Sequence, residues 1–385
     1  METVGLGTVL REWGRIGCIG FGGPPTHIRL LRDLCIRRNN WMSAVEFEDA
    51  IAACNLLPGP ASTQLAIFCA WRVRGRLGAL LGGAAFIVPG LIVILAFAAL
   101  FLTGSPPHWV LGAGAGAGAA VAAVAVSAGW DLLTASWKRR RQAYRWAAYL
   151  VAGGVAAATI GPWLVLVLLG CGLLEVGIQQ PRTPPAETGT RRRRANALPI
   201  AVGSFSAGNL GSLAWVALKV GALSYGGGFV IIPLMQSDAV DHYHWMSDGQ
   251  FLNAVALGQV TPGPVVQTVA VVGYAAAGLG GGILASIVAF SPSFTFVLLG
   301  AHRFDRLRSN PRVRAFLDGA GPAAIGAILG SAIPLARALS EGWQYAVLAG
   351  AALLLFVARR GVVLTLLAAG AVGVVVAAAG GPLPS

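Results

Sequence analysis

Three short motifs occur twice in this chain, each time 204 positions apart. Phe21-Gly22-Gly23 returns as Tyr225-Gly226-Gly227, Trp41-Met42-Ser43 as Trp245-Met246-Ser247, and Pro58-Gly59-Pro60 as Pro262-Gly263-Pro264. The spacing is constant from Phe21 to Pro60, so neither copy has gained or lost a residue there. A duplication with its glycines and prolines kept in register requires two copies of one local fold, broken at matching places.

The solvent follows from composition. Of 385 residues 56% are apolar and only 11% charged, whereas a soluble domain carries about 25% charged residues. Apolar stretches near the ~20 residues that cross a bilayer recur along the whole length. The chain is therefore expected to be an all-α polytopic membrane protein. The net charge of +13 sits mostly in loops between apolar segments, which is the positive-inside pattern and argues against a nucleic-acid partner. No cleavable leader is expected, because Glu2, Arg11, Glu12 and Arg15 interrupt the first residues. The five cysteines (Cys18, Cys35, Cys54, Cys69, Cys171) show no metal or redox spacing, and no HExxH, P-loop or Asp-rich motif is present. We expect no enzyme activity, no cofactor and no metal.

Candidate spans in the first half are 5–28, 77–102, 110–133, 144–160 and 162–178; those of the second are 206–235, 281–300, 316–336, 343–358 and 361–380. Between the first two spans of each half lies an apolar segment of another kind, 44–71 and 248–278, broken at its centre by Pro-Gly-Pro. Arms of ~12 residues are short for a 30 Å core, so each segment is predicted to be a re-entrant helical hairpin; one long kinked span is the alternative. Basic residues flank the first hairpin (Arg29, Arg32, Arg37, Arg38, then Arg72, Arg74, Arg76), whereas Asp238, Asp241 and Asp248 precede the second. Five spans and one hairpin per half make an odd count, so the second copy is predicted to be inverted. The domains are then 1–180 and 201–385, joined by a cytoplasmic Pro/Arg-rich linker over 181–200 that carries Arg191–Arg194.

The hairpin tips are the first candidates for chemistry. Each second arm opens at a tip, with Ala61-Ser62-Thr63-Gln64 or Val265-Val266-Gln267-Thr268. A helix start exposes unpaired N–H groups and the positive end of the macrodipole. Two starts converging at mid-membrane make a cradle for a small anion; the other reading is that neighbouring helices satisfy the breaks. Asn55 and Gln259 precede the tips at equivalent positions, as amide donors or as caps. Arg15 and Lys219, again 204 apart, lie within the first spans. An intramembrane cation faces a cavity or a partner, snorkels, or pairs with a carboxylate. Gly22-Gly23 and Gly226-Gly227 permit unwinding or close packing. His27, Glu46 and Asp49 are the proton-coupling candidates, although a solvated hairpin mouth also accounts for the acids.

These residues resemble a known family. Phe-Gly-Gly-Pro at 21–24, Trp41-Met42-Ser43 ahead of an acidic stretch, Leu-Leu-Pro-Gly-Pro at 56–60 and Gln-Val-Thr-Pro-Gly-Pro at 259–264 are similar to the chromate ion transporter family, in its long two-domain bacterial form. The resemblance implies a multi-pass inner-membrane carrier for chromate, a tetrahedral dianion, acting by efflux and conferring resistance. Sulfate is the related oxyanion, an anion channel is the other transport class, and the lipid bilayer and a second copy of the chain are the further partners. It also implies that Arg15 and Lys219 sit where the family carries a basic residue ahead of Phe-Gly-Gly. Asn55, in place of the more usual glutamine, and Trp71-Arg72, in place of Gly-Tyr, depart from the pattern. On this reading the substrate-binding set is Arg15, Gly22, Gly23, Asn55, Pro58, Gly59, Pro60, Ser62, Thr63 and Gln64, with Lys219, Gly226, Gly227, Gln259, Pro262, Gly263, Pro264, Gln267 and Thr268. Replacing Arg15 or Lys219 with Gln is expected to abolish chromate uptake into vesicles while leaving expression intact on immunoblots.

Overall fold

Glycine and proline decide where the helices of this chain stop, and apolar runs fill the space between. The computed structural model describes residues 4–55, 57, 59–102, 106–140, 142–159, 163–179, 209–224, 230–300 and 310–384, and every regular element among them is helical. In the first half these are α1 (Leu6–Ile19), α2 (Pro24–Arg32), α3 (Ala44–Cys54), α4 (Ala61–Phe101), α5 (His108–Ala119), α6 (Val121–Arg139), α7 (Ala143–Thr159) and α8 (Leu164–Gln179). The second half gives α9 (Asn209–Leu223), α10 (Ile231–Gln236), α11 (Asp248–Val260), α12 (Thr268–Gly300), α13 (Pro311–Arg337), α14 (Gly342–Ala352) and α15 (Val362–Ala378). Four stretches are long and apolar enough to cross a membrane: Ala61–Phe101, His108–Lys138, Val265–Gly300 and Pro311–Arg337. Shorter apolar helices cover 164–179, 210–223, 342–357 and 362–378.

The first predicted span of each half is divided rather than continuous. α1 ends at Ile19, Gly22 and Gly23 take φ of +89° and +74°, and α2 restarts on Pro24 at its first position. Proline suits that place because its missing N–H would have had no helical partner. In the second half α9 and α10 flank 225–229, so Tyr225, Gly226 and Gly227 lie outside the described residues, as do Pro58 and the 181–200 linker.

The Trp-Met-Ser repeat proves to be a helix stop and restart. α2 and α10 each run into a π-helical turn, Asp33–Arg38 and Ser237–His242. Asn40 and His244 then take φ of +51°, and the amides of Trp41 and Trp245 close the turns on Cys35 O and Ala239 O, each at 2.8 Å. Ser43 and Ser247 cap the next helices by accepting from the amides of Glu46 and Gln250 at 3.1 and 3.3 Å. The repeated tryptophan and serine therefore shape the backbone.

α4 and α12 are each two helices meeting at a corner. Arg74 and Gly75 leave the helical region, Gly75 at φ +63°, and Ala277 and Gly278 do the same with Gly278 at +63°. The arm between tip and corner is about 13 residues, roughly 20 Å at 1.5 Å per residue. The corner glycines are 203 positions apart, as are the proline kinks at Pro89 and Pro292. The second arm, from Pro264 to Gly278, is therefore one residue shorter than the first, from Pro60 to Gly75. With that offset Gln64 corresponds to Gln267, and Gly90 to Ser293.

Each tip packs against the opposite half. Gly59 lies against Ser293 Oγ of α12 and the Gly221 carbonyl of α9; Pro262 O and the Gln267 side chain lie against Gly90 of α4. Only a residue without a side chain fits at Gly90, because a Cβ there would collide with Pro262 O and Gln267 Oε1. Gly90→Ala is expected to lower the melting temperature and displace the second tip. Gly280→Ala, where a Cβ meets nothing, should leave the melting temperature unchanged or raised; equal melting of the two variants in thermal unfolding would refute this packing.

Candidate functional site

Breaking four helices inside an apolar protein strands backbone donors and acceptors, and the tips show how they are satisfied. Gly59 and Gly263, at φ +116° and +94°, turn the chain through the Pro-Gly-Pro breaks. The Gly263 amide donates to Gly20 O at 3.1 Å, on the chain break that ends α1. His27, fully buried, lies with Nε2 2.9 Å from the same carbonyl and Nδ1 3.2 Å from Ser62 Oγ. Its ring packs edge-on against Phe86, with centroids 4.9 Å apart. One carbonyl thus joins α1, α2 and the second tip, and His27 extends the link to the first arm.

Gln64 and Gln267 are fully buried, each on the turn after a tip. Gln267 Nε2 donates to Ile87 O at 2.6 Å, just before Pro89. Thr268 Oγ1 and Thr261 Oγ1 turn back to their own helices, donating at 2.8 Å to Val265 O and Leu257 O. Not every polar atom is matched. Thr63 Oγ1, Ser293 Oγ, Ser224 Oγ, Gln267 Oε1 and Gln259 Nε2 are buried with no hydrogen-bond partner among the described residues. Buried groups of this kind cost about 1–3 kcal/mol each when unsatisfied. Thr63, Gln259 and Gln267 among them each lie three residues from a Pro-Gly-Pro break, where a polar ligand would find partners.

The N-terminal amides agree. Neither α4 nor the 3-10 turn Val265–Gln267 that leads into α12 has a side-chain cap, and both starts are buried at Ser62–Gln64 and Val265–Gln267. The tips therefore offer donors without offering charge.

The two predicted cations are matched elsewhere. Lys219 Nζ holds Asp238 at 2.6 and 2.9 Å and stands 5.9 Å from the Trp215 ring. Arg15 pairs with Glu12 at 3.2 Å, where Arg11 and Arg38 also converge at 3.3 and 3.7 Å. The Arg15 side chain is 44% exposed, unlike the fully buried glutamines. Glu46 pairs with Arg72 and Glu48 with Arg32 at the start of α3; Asp49 is half-buried beside them. Asn55 is exposed at the end of α3.

A cavity of about 480 Å³ reaches the first tip at Asn55, Leu57 and Gly59. It is also lined by Arg145, Tyr149 and Glu175, a group outside the repeated motifs. Its signal is present in the sequence: Glu175 is the only acid in the apolar segment 162–178, and an ionisable residue there is a functional candidate by position alone.

The chain's sequence, compared with known proteins, matches the model of the chromate transporter family over residues 7–176 and 211–374. The chain belongs to the chromate transporter family. Among its relatives are the chromate transport protein of Cupriavidus metallidurans (31% identical, covering 84% of this chain and 80% of that one) and that of Pseudomonas aeruginosa (30%, covering 85% and 80%). The probable chromate transport protein of Synechococcus elongatus is 28% identical, over 84% and 82%. No solved structure matches the chain. The family and these names are those of transport proteins and not of enzymes. Both matched stretches of this chromate transporter family member carry a tip, so the unpartnered atoms fall within its family-defining regions.

The ion pairs change what a single substitution reports. Asp238 is only 6% exposed, and removing Lys219 leaves that carboxylate buried without its cation, at a cost on the order of 3 kcal/mol. Lys219→Gln is therefore expected to lower thermal stability, and Lys219→Gln with Asp238→Asn to recover most of it. Arg15→Gln should cost under about 1 kcal/mol, because the pair is half-exposed and Glu12 keeps two other cations. Unfolding by heat or denaturant in detergent decides both; a destabilised double variant would show that Lys219 does more than balance Asp238.

Proposed function

We propose that the chain is a secondary active carrier of chromate, with its substrate site between the two Pro-Gly-Pro tips. The observation that carries this reading is the set of buried, unpartnered donors and acceptors gathered at two related helix breaks. A tetrahedral dianion needs several donors distributed around it, and helix-start amides, the Thr63 and Ser293 hydroxyls and the Gln259 amide supply them without a fixed charge that would hold the ion too tightly to release. The relatives' names supply the ion. Sulfate, with the same shape and charge, is the competing substrate, and an anion channel is the competing mode.

In this reading Pro58, Gly59, Pro60, Pro262, Gly263 and Pro264 shape the cradle, while Ser62, Thr63, Gln259 and Thr268 complete its rim. Asn55 stands at the approach to it. Gly22, Gly23, Gly226 and Gly227 provide the unwound backbone that lets the halves shift. The Glu12 and Asp238 pairs largely cancel the charge of Arg15 and Lys219 in this conformation, so those cations act on substrate when the pairs open. His27, tied to both a chain break and Ser62, is placed to sense such a shift, and Glu46 and Asp49 remain candidates for proton coupling.

In this reading the segments 44–71 and 248–278 are re-entrant hairpins. The halves, 1–180 and 201–385, are taken as inverted copies in the inner membrane that rock to expose the cradle to alternate sides. Efflux would give resistance to chromate.

Chromate and sulfate flux in proteoliposomes with an imposed pH gradient tests ion, mode and coupling together. Saturable chromate uptake with counterflow is expected, whereas unsaturable flux would mean a channel. Thr63→Val and Ser293→Ala separate site from scaffold. Each removes a buried hydroxyl that has no partner among the described residues, so the fold should be unharmed or stabilised by about 1 kcal/mol. The KM for chromate should nonetheless rise about tenfold, the loss of one charge-assisted hydrogen bond. Unchanged KM in both variants would place the substrate elsewhere.

A further inference from the structure

The cavity beside the first tip carries more charge than the tip itself. Arg140, Arg145 and Arg314 line it, against Glu175 and Asp318. Arg140 is committed to Trp137, donating to its carbonyl at 2.6 Å and stacking on its ring at 3.4 Å. Arg145 is differently placed. One terminal nitrogen meets Glu175 Oε1 at 3.2 Å, while its Nε is buried with no acceptor among the described residues.

Glu175 is 3% exposed and does not depend on that arginine alone. Tyr149 donates its hydroxyl to Oε2 at 2.8 Å, and Gln179 donates its amide to Oε1 at 2.7 Å and to Asp318 at 3.3 Å. If Arg145 turned to another acceptor, the carboxylate would keep two good donors. Arg145 would gain an acceptor for its idle Nε. Exchange between an internal carboxylate and an incoming anion therefore costs Glu175 its cation but leaves it two neutral donors, while Arg145 keeps a charged partner and gains a second bond.

We propose that this cavity is a second oxyanion-binding site, a vestibule in which Arg145 is the anion ligand and Glu175 the internal counter-ion that competes with it. The ligand class is a free tetrahedral dianion, and the inference rests on the carrier reading above. The guanidinium presents a planar fork suited to two oxygens of such an ion. Because Asn55, Leu57 and Gly59 line the same cavity, an anion held here shares its space with the first tip. Glu175 keeps the site from retaining it: a lone arginine in a low-dielectric cavity would bind a dianion strongly, and a competing carboxylate weakens that hold to a level compatible with onward transfer.

The test is equilibrium dialysis of chromate against the purified full-length chain in detergent, at low ionic strength with chloride as the only other anion. The wild-type chain should bind chromate, and sulfate should displace it. Arg145→Gln should weaken binding at least about tenfold, with Arg145→Lys intermediate because it keeps charge but loses the fork. Glu175→Gln should tighten binding about fivefold to tenfold, since the competitor's charge is gone while the Tyr149 and Gln179 contacts can persist. A merely structural ion pair would be damaged by Glu175→Gln and would not bind anion better. Unchanged or weakened binding in Glu175→Gln overturns the vestibule, even where Arg145→Gln fails to fold, and so does absence of chromate binding to the wild-type chain. Flux in proteoliposomes keeps the two readings apart. Chromate transport without these binding effects sinks the vestibule alone, and binding of the expected pattern without flux sinks the carrier alone.

Discussion

Everything in this structure depends on satisfying backbone groups where helices break in an apolar interior. A chain that stops four helices near its centre must find partners for the stranded amides and carbonyls, since there is little water to supply them. The solution is mutual: the second tip donates to Gly20 at the break in the first half, and the first tip lies against Gly221 and Ser293 of the second. His27 adds a contact to Gly20 from within the first half. The duplicated halves are thereby held as one unit at the point where their regular structure is weakest.

That exchange also accounts for the pattern of small residues. Gly90 admits the second tip, and Gly221 admits α12 so closely that a Cβ would strike Ala289 O. Farther out, α5 and α15 touch through Gly112, Gly116 and Gly373, and α7 meets α13 through Gly153 and Gly326. Where lipid tails are as apolar as the side chains, close backbone approach is the main source of helix adhesion. The large apolar side chains instead point outward on the faces of α4, α8 and α15, at Leu77, Ile92, Leu173, Leu364 and Val375.

Much of this was legible in the sequence, because proline and glycine act locally. The segments predicted at 144–160, 162–178, 316–336 and 361–380 reappear as α7, α8, α13 and α15 within a few residues. What the sequence hid depends on contacts between distant residues. The constant 204-residue spacing concealed the single residue missing after the second tip, since the motifs that reveal the register all lie before it. Arg15 and Lys219 are equivalent by position yet meet unlike carboxylates, Glu12 one turn back and Asp238 on a different helix. Glu175 was visible as a lone acid in an apolar run, but its meaning comes from Tyr149, Arg145 and Gln179, brought to it from two helices.

The shortened second arm has a further consequence. Two identical halves that traded conformations would return to the same free energy, and a protein built from them would spend equal time in both arrangements. With thirteen or so residues rather than one more between tip and corner, Gln267 reaches a carbonyl from a 3-10 turn where Gln64 stands on a regular helix. The degeneracy is lifted at its source. A difference of about 1.4 kcal/mol between two arrangements is enough to populate one of them ten to one, so in a carrier whose halves exchanged shapes, one residue of arm length would be enough to bias which arrangement is at rest.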